Sequence, residues 1–239
     1  MTKPHETWTV APHGPLEKLG HNLYTVTGRL EMPLGETTRR MTVARLAGGE
    51  LVIFSPISLA EPAMQQLEAI GPPRYMIVPR GNHRLDLKPW KQRYPNIVVV
   101  APEGVKADVE EVIPVDHTTL DTGDPNVLID NAPGTAKKEL TMMVTTETGK
   151  KTLAVADLIF NIPEKSGVEG VAFKVMGMNP GHPSLPWTVK LGLVKDEAAL
   201  KVGFEAWSRD PELERILPAH GGVIENPKEI LRSLAGLPV

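Results

Sequence analysis

The order of strand and helix patterns constrains this chain more than any other feature, because the same order occurs twice. Residues 23–26 and 41–46 read as strands, and Gly48-Gly49 then turns the chain into the apolar run Leu51, Val52, Ile53, Phe54, which makes an antiparallel start. Leu59, Ala63, Met64, Leu67 and Ile70 recur at helical spacing, with Pro62 in the first turn and Gly71 at the stop. A strand over 75–78, a short helix over 87–94 and a β-branched strand over 97–100 follow, an alternation that predicts a βαβ crossover.

The second half repeats the plan. Strands are predicted over 127–129, 140–146 and 152–156, the last two joined by the turn Glu147-Thr148-Gly149-Lys150. A helix over 196–207 leads to the apolar pair Ile216-Leu217, and Pro227 opens a final helix to Leu234. Two such halves facing each other predict an α/β fold of the αββα kind: two mixed sheets packed face to face, with helices on both outer faces. At 239 residues the chain fits one domain over 1–239. Residues 1–20, with Pro4, Pro12 and Pro15, read as a surface arm, and the Gly- and Pro-rich stretch 161–190 as a lid, wall or binding loop.

Composition narrows the chemistry. The absence of cysteine removes disulfides, thiol nucleophiles and thiolate metal sites, so any strong metal ligand comes from the seven histidines and the acids. Net charge is -3, and basic residues occur as scattered pairs such as Arg39-Arg40 and Lys137-Lys138. That pattern argues against a nucleic-acid partner. No apolar run reaches the length of a membrane span, and residues 1–20 lack the apolar core of a signal peptide, so a cytoplasmic protein without membrane contact is expected. Oligomeric state leaves no mark in the sequence.

Five short segments fall at strand ends. Ser55-Pro56-Ile57 follows the strand at 51–54, and Arg80-Gly81-Asn82-His83-Arg84-Leu85 follows the strand at 75–78. Pro133-Gly134-Thr135 precedes a strand, Leu153-Ala154-Val155-Ala156-Asp157 ends in an acid, and Leu217-Pro218-Ala219-His220-Gly221 ends in His-Gly. With this layout the chain resembles the metallo-β-lactamase superfamily from Leu23 to Leu234. Within it the chain is most similar to the DUF4336-type branch, through residues 41–56, 83–90 and 157–161.

The resemblance implies a site largely stripped of ligands. Where the superfamily has Asp-Thr-Gly stands Ser55-Pro56-Ile57, and its His-x-His-x-Asp-His positions hold Arg80, Asn82, Arg84 and Leu85. Its Pro-Gly-His is Pro133-Gly134-Thr135. Asp157 and His220 are the two retained ligands, and His83 lies at an intervening position from which it either turns inward as a third or sits exposed. The implied cofactor is one weakly bound divalent metal, zinc by donor type, on Asp157, His220 and His83, or none.

Each residue also has a plainer use. Asp157 either faces a site or caps a turn, and His220 either faces the site or is a buried imidazole satisfied by backbone groups. His182, flanked by prolines, reads as part of a rigid turn. Arg80 and Arg84, with Asn82, either line an anion-binding cleft or, for the arginines, point to solvent or pair with Asp86 and Glu103. Ser55 and Ser58 lack the Gly-x-Ser-x-Gly setting of a nucleophile. Two functions follow: a diverged hydrolase with a degenerate site, or a non-catalytic protein that holds a small anionic ligand in the same cleft.

Overall fold

The computed structural model describes residues 3–32 and 35–238. The first half forms β1 (Glu17–Lys18), β2 (Leu23–Met32), β3 (Gly35–Arg45), β4 (Leu51–Phe54), α1 (Glu61–Ile70), β5 (Pro73–Ile77), α2 (Leu87–Arg93), β6 (Val98–Val100) and α3 (Lys106–Glu110). The second forms β7 (Val127–Asn131), β8 (Leu140–Thr145), β9 (Lys151–Val155), α4 (Gly167–Val175), α5 (Trp187–Leu193), α6 (Glu197–Arg209), β10 (Leu213–Pro218), β11 (Ile224–Glu225) and α7 (Lys228–Leu234).

The strands make two mixed sheets, β1-β2-β3-β4-β5-β6 and β11-β10-β9-β8-β7. In the first, β4, β5 and β6 run parallel, and in the second β9 and β10 do. All remaining neighbours are antiparallel.

Period-2 alternation explains the layering. On β4, Val52 and Phe54 join Leu23, Ile77 and Val100 in a core shared with Val127, Met142, Val144, Ala154 and Leu217 of the other sheet. Leu51 and Ile53 face the opposite way, against Met64 and Leu67 of α1 and Leu87 and Trp90 of α2. On the second sheet, Leu153, Val155 and Ile216 pack under Leu200 and Phe204 of α6 and Leu231 of α7. With both faces covered, a fully buried Leu, Ile or Phe here contributes roughly 1.5–3 kcal/mol. No helix among the described residues is long and apolar enough to cross a membrane.

Two expectations are corrected. The first hairpin is far longer than 23–26 and 41–46: β2 and β3 pair from Leu23↔Ala44 out to Met32↔Gly35. The segment 3–20, read as part of a surface arm whose residues 1 and 2 lie outside the described ones, gains detail rather than a correction: it lies along the first sheet's helices. Trp8 donates its indole N–H to the Leu59 carbonyl and lies against Trp90, and the His13 Nε2 accepts the Ala60 amide at the start of α1. The stretch 161–190 holds all of α4 and the start of α5. Its buried face is small, Gly170 and Phe173, while Val168, Val171 and Val175 are exposed, so the apolar contrast that marks most surface helices is missing.

Candidate metal centre

The parallel strands of each sheet direct their carboxyl ends to one place, the general location for ligands in sheets with parallel strands. Ser55 follows β4, the turn 80–85 follows β5, Asp157 stands two residues beyond β9, and His220 two beyond β10. Asp157 and His220 are buried, and both oxygens of Asp157 are engaged. Its Oδ2 accepts from Arg80 Nη1 at 2.7 Å and from Asn82 Nδ2 at 2.9 Å. Its Oδ1 faces His83 Nε2 at 3.1 Å and His220 Nε2 at 3.2 Å.

The elements that hold these groups come from far along the chain. Glu139, fully buried just before β8, accepts the backbone N–H groups of Ala156, Asp157 and Leu158 and so fixes the turn that presents Asp157. His220 is held from the other sheet. Its Nδ1 lies 2.9 Å from the Thr38 carbonyl, and the Thr38 hydroxyl accepts the Gly221 amide at 3.0 Å. Arg40, two residues on, donates Nε to Pro218 O and Nη2 to Gly221 O. Phe160 stacks on the His220 ring at 4.9 Å.

Hydrogen-bond chemistry fixes one tautomer. A carbonyl only accepts, so His220 Nδ1 carries the hydrogen, and in the neutral ring Nε2 presents a bare lone pair to Asp157 Oδ1. Two lone pairs facing each other repel unless a cation lies between them, whether a proton or a metal. His83 has a different outer partner: its Nδ1 lies 2.9 Å from Ser55 Oγ, which can donate or accept.

The local field is mixed. Burial pushes the Asp157 carboxyl up, but His83, His220 and Arg80 outweigh it and hold the group well below the usual carboxylate range. Burial lowers the His83 pKa, opposed by Asp157, which favours a neutral ring at neutral pH. Glu139 is pushed up to about 8 by burial and by the Asp157 charge, against the pull of Arg80 and the backbone amides.

The three inner atoms of His83, Asp157 and His220 lie within 4.8 Å of one another. The 3.1 and 3.2 Å separations are close to the ~3.3 Å that metal–ligand bonds of about 2.0–2.1 Å produce at tetrahedral angles. Two imidazoles and a carboxylate, with outer nitrogens held by oxygen atoms, are a donor set that fits one divalent ion.

The structure thus brings together Asp157, His220, His83, Arg80 and Asn82. It does not bring Arg84, whose Nη1 pairs with Glu111 at 2.6 Å and with the Asp108 carbonyl. Arg80 pairs with Asp157 rather than with solvent, Asp86 or Glu103. His182 is exposed. Ser55, His83 and Asp157 do stand in series, but Pro56 lacks the N–H that the residue after a serine nucleophile normally offers to an oxyanion. Sequence reasoning missed Glu139, Thr38 and Arg40. Arg39-Arg40, which the sequence shows only as one of several scattered basic pairs, is buried, with 8% and 5% of its surface exposed.

No family model and no curated protein matches the sequence. Solved structures do match. The chain superposes on the metallo-β-lactamase FIM-1 from Pseudomonas aeruginosa, in its mono-zinc form, with a TM-score of 0.61 at 14% identity over 95% of this chain and 96% of that one. A metallo-β-lactamase from Hirschia baltica gives 0.60 at 15% identity, covering 95% and 100%. One from Pontibacter korlensis gives 0.60 at 13%, covering 92% and 98%. At such identities the likeness concerns architecture, and the architecture of this chain is the metallo-β-lactamase αββα fold.

Proposed function

We propose that this protein is a hydrolase in which Asp157, His83 and His220 hold a single divalent metal, zinc by donor type. The observation that carries the reading is the His220 hydrogen bond to Thr38, which places a hydrogen on Nδ1 and sets Nε2 3.2 Å from Asp157 Oδ1, with room between them for one cation. An imidazole whose outer N–H is fixed by an oxygen and whose inner nitrogen is bare is prepared to ligate. When bound, the metal supplies water activation and polarisation of a carbonyl or phosphoryl oxygen.

The chain's own residues do the rest. Arg80 and Asn82 occupy Asp157 Oδ2, so Oδ1 alone joins the two imidazoles, which favours one ion over two. Arg80 uses Nη1 on Asp157, and its other N–H donors suit an anionic group of a small substrate. Phe160 covers the His220 ring and keeps water from one face. The fixed charge of Arg80 opposes a divalent cation, so the ion is held weakly. Placement in the DUF4336-type branch rests on the segments 41–56, 83–90 and 157–161 and is part of the same proposal.

A second reading, a non-catalytic protein for a small anionic ligand, is favoured by Arg80, whose side chain remains 19% exposed. Metal content separates the two. Protein equilibrated with Zn²⁺ should hold one ion per chain, absent from Asp157→Ala. Two ions per chain retained through dialysis against a chelator, or equal content in both proteins, would overturn the proposal. Binding of simple carboxylates or phosphates that is unchanged by chelation and lost in Arg80→Ala would favour the second reading.

A further inference from the structure

We infer that Ser55 is a positioning residue for His83, an adjustable hydrogen-bond partner that lets the ring serve the site both without and with a metal. The metal-bound half of this inference rests on the reading above.

Ser55 is one of four non-glycine residues with positive φ among the described ones, at 57°. A left-handed backbone is disfavoured for L-residues, and serine lacks the side-chain amide that eases it for asparagine. The strain falls directly after β4, at a buried residue whose amide still bonds Ile77 O. Such outliers persist where the surroundings over-determine them, often at functional sites. Here the recorded partner of the Ser55 hydroxyl is His83 Nδ1, at 2.9 Å.

The two imidazoles are therefore held by chemically different groups. Thr38 offers His220 a carbonyl, which permits one hydrogen placement. Ser55 offers His83 a hydroxyl, which permits two. Without metal, His83 donates Nε2–H to Asp157 Oδ1 while the serine O–H donates to Nδ1. To ligate, His83 must free its Nε2 lone pair. Its single hydrogen then sits on Nδ1 and is donated to the serine oxygen, whose O–H rotates away. The ring is neutral in both states, and its hydrogen changes nitrogen without a net gain or loss. A carbonyl at position 55 would forbid the first arrangement, and an apolar side chain would leave Nδ1 unpartnered in both.

Backbone strain and hydroxyl chemistry separate in the variants Ser55→Ala, Ser55→Gly and Ser55→Thr. Ser55→Ala keeps the strain and loses the hydroxyl, whereas Ser55→Gly loses both. Ser55→Thr keeps the hydroxyl and, being β-branched, strains the backbone further. In chelator-treated protein Ser55→Gly should melt about 2–4 °C above Ser55→Ala, and Ser55→Thr lowest of the three. Affinity for Zn²⁺ or Co²⁺, read by titration, should order differently: Ser55→Thr within about threefold of wild type, Ala and Gly both about tenfold or more weaker. Affinities that follow the melting order would mean a merely structural role and overturn the inference.

Nitrogen-15 spectra of His83 in chelator-treated protein give a readout that needs no metal. Wild type should show one Nε2–H tautomer with Nδ1 hydrogen-bonded, and the Ala and Gly variants a shifted Nδ1 resonance. An Nδ1 resonance identical in wild type and Ser55→Ala would overturn the role of Ser55. A wild type that shows the expected Nδ1 shift yet binds neither ion would instead overturn the metal reading and leave the pairing standing.

Discussion

His220 Nδ1 and the carbonyl of Thr38 are 2.9 Å apart, although they belong to opposite sheets and lie 182 residues apart in sequence. The geometry at Asp157 is therefore a consequence of how the two sheets dock. Thr38 and Arg40 of β3 together hold the segment from Pro218 to Gly221 by its backbone.

Arg40→Met should break this docking. The buried guanidinium donates to two carbonyls of that segment, and both would lose their partner. The expected loss in urea denaturation is about 2–4 kcal/mol, since buried acceptors left unpaired cost about 1–3 kcal/mol each. Metal affinity should fall with it, because the His220 ring rides on the freed backbone. A variant as stable as wild type would mean that the sheets dock through apolar contacts alone.

Asp157→Ala should destabilise the chelator-treated protein as well as abolish metal binding. Arg80, Asn82 and His83 all donate to this one carboxylate, and its removal strands a partly buried guanidinium. The expected cost is about 3 kcal/mol. The double variant Asp157→Ala with Arg80→Met should recover part of it, since the stranded charge is then gone. Additive losses in equilibrium unfolding would contradict that coupling.

Gly221→Ala and Gly149→Ala make a matched pair. Both glycines have positive φ, 96° and 77°. A Cβ on Gly221 would stand 1.9 Å from Asn161 O, whereas one on Gly149 would meet nothing within 4 Å. The first substitution should cost about 4 kcal/mol or more, through collision with backbone beside His220, and the second about 1 kcal/mol. Comparable melting temperatures for the two would show that the 161–221 contact yields without penalty.

The elements of the core were legible because their residues carry their own pattern. Leu51 to Phe54 alternate between two buried faces, and Leu59, Met64 and Leu67 keep helical spacing, so local sequence and tertiary burial agree. The outer hairpin was not legible, because Gly28, Arg29 and the run Thr37 to Arg40 look like a polar loop. Strand pairing, with buried partners for Arg39 and Arg40, makes them strand. Asp157 and His220 could be named from strand-end motifs, and the inward turn of His83 could not, since it depends on the Arg80–His83 backbone bond and on Ser55. Glu139 carried no local signal at all. Its role exists only once β8 and β9 pair.

Glu139 also sets the last prediction, the pH dependence of stability. Its carboxyl is pushed up to about 8 in the folded protein by burial and by the Asp157 charge, from an ordinary value of 4.5. Between pH 5 and 8 the unfolded chain has this group ionised while the folded chain keeps its proton. The folded state then binds more protons, and stability must fall as pH rises, by up to ~1.4 kcal/mol per pH unit, flattening above about 8. Other groups titrate in this window, so the informative quantity is a difference between proteins. Glu139→Gln removes the titration, while its amide nitrogen meets the Asp157 N–H as a second donor, so the variant should be less stable at pH 5.5. That deficit should shrink by about 2–3 kcal/mol by pH 8, because only the wild type loses the contribution. Urea denaturation of both chelator-treated proteins across the range would check it. A deficit independent of pH would mean that the three backbone N–H groups keep Glu139 ionised throughout.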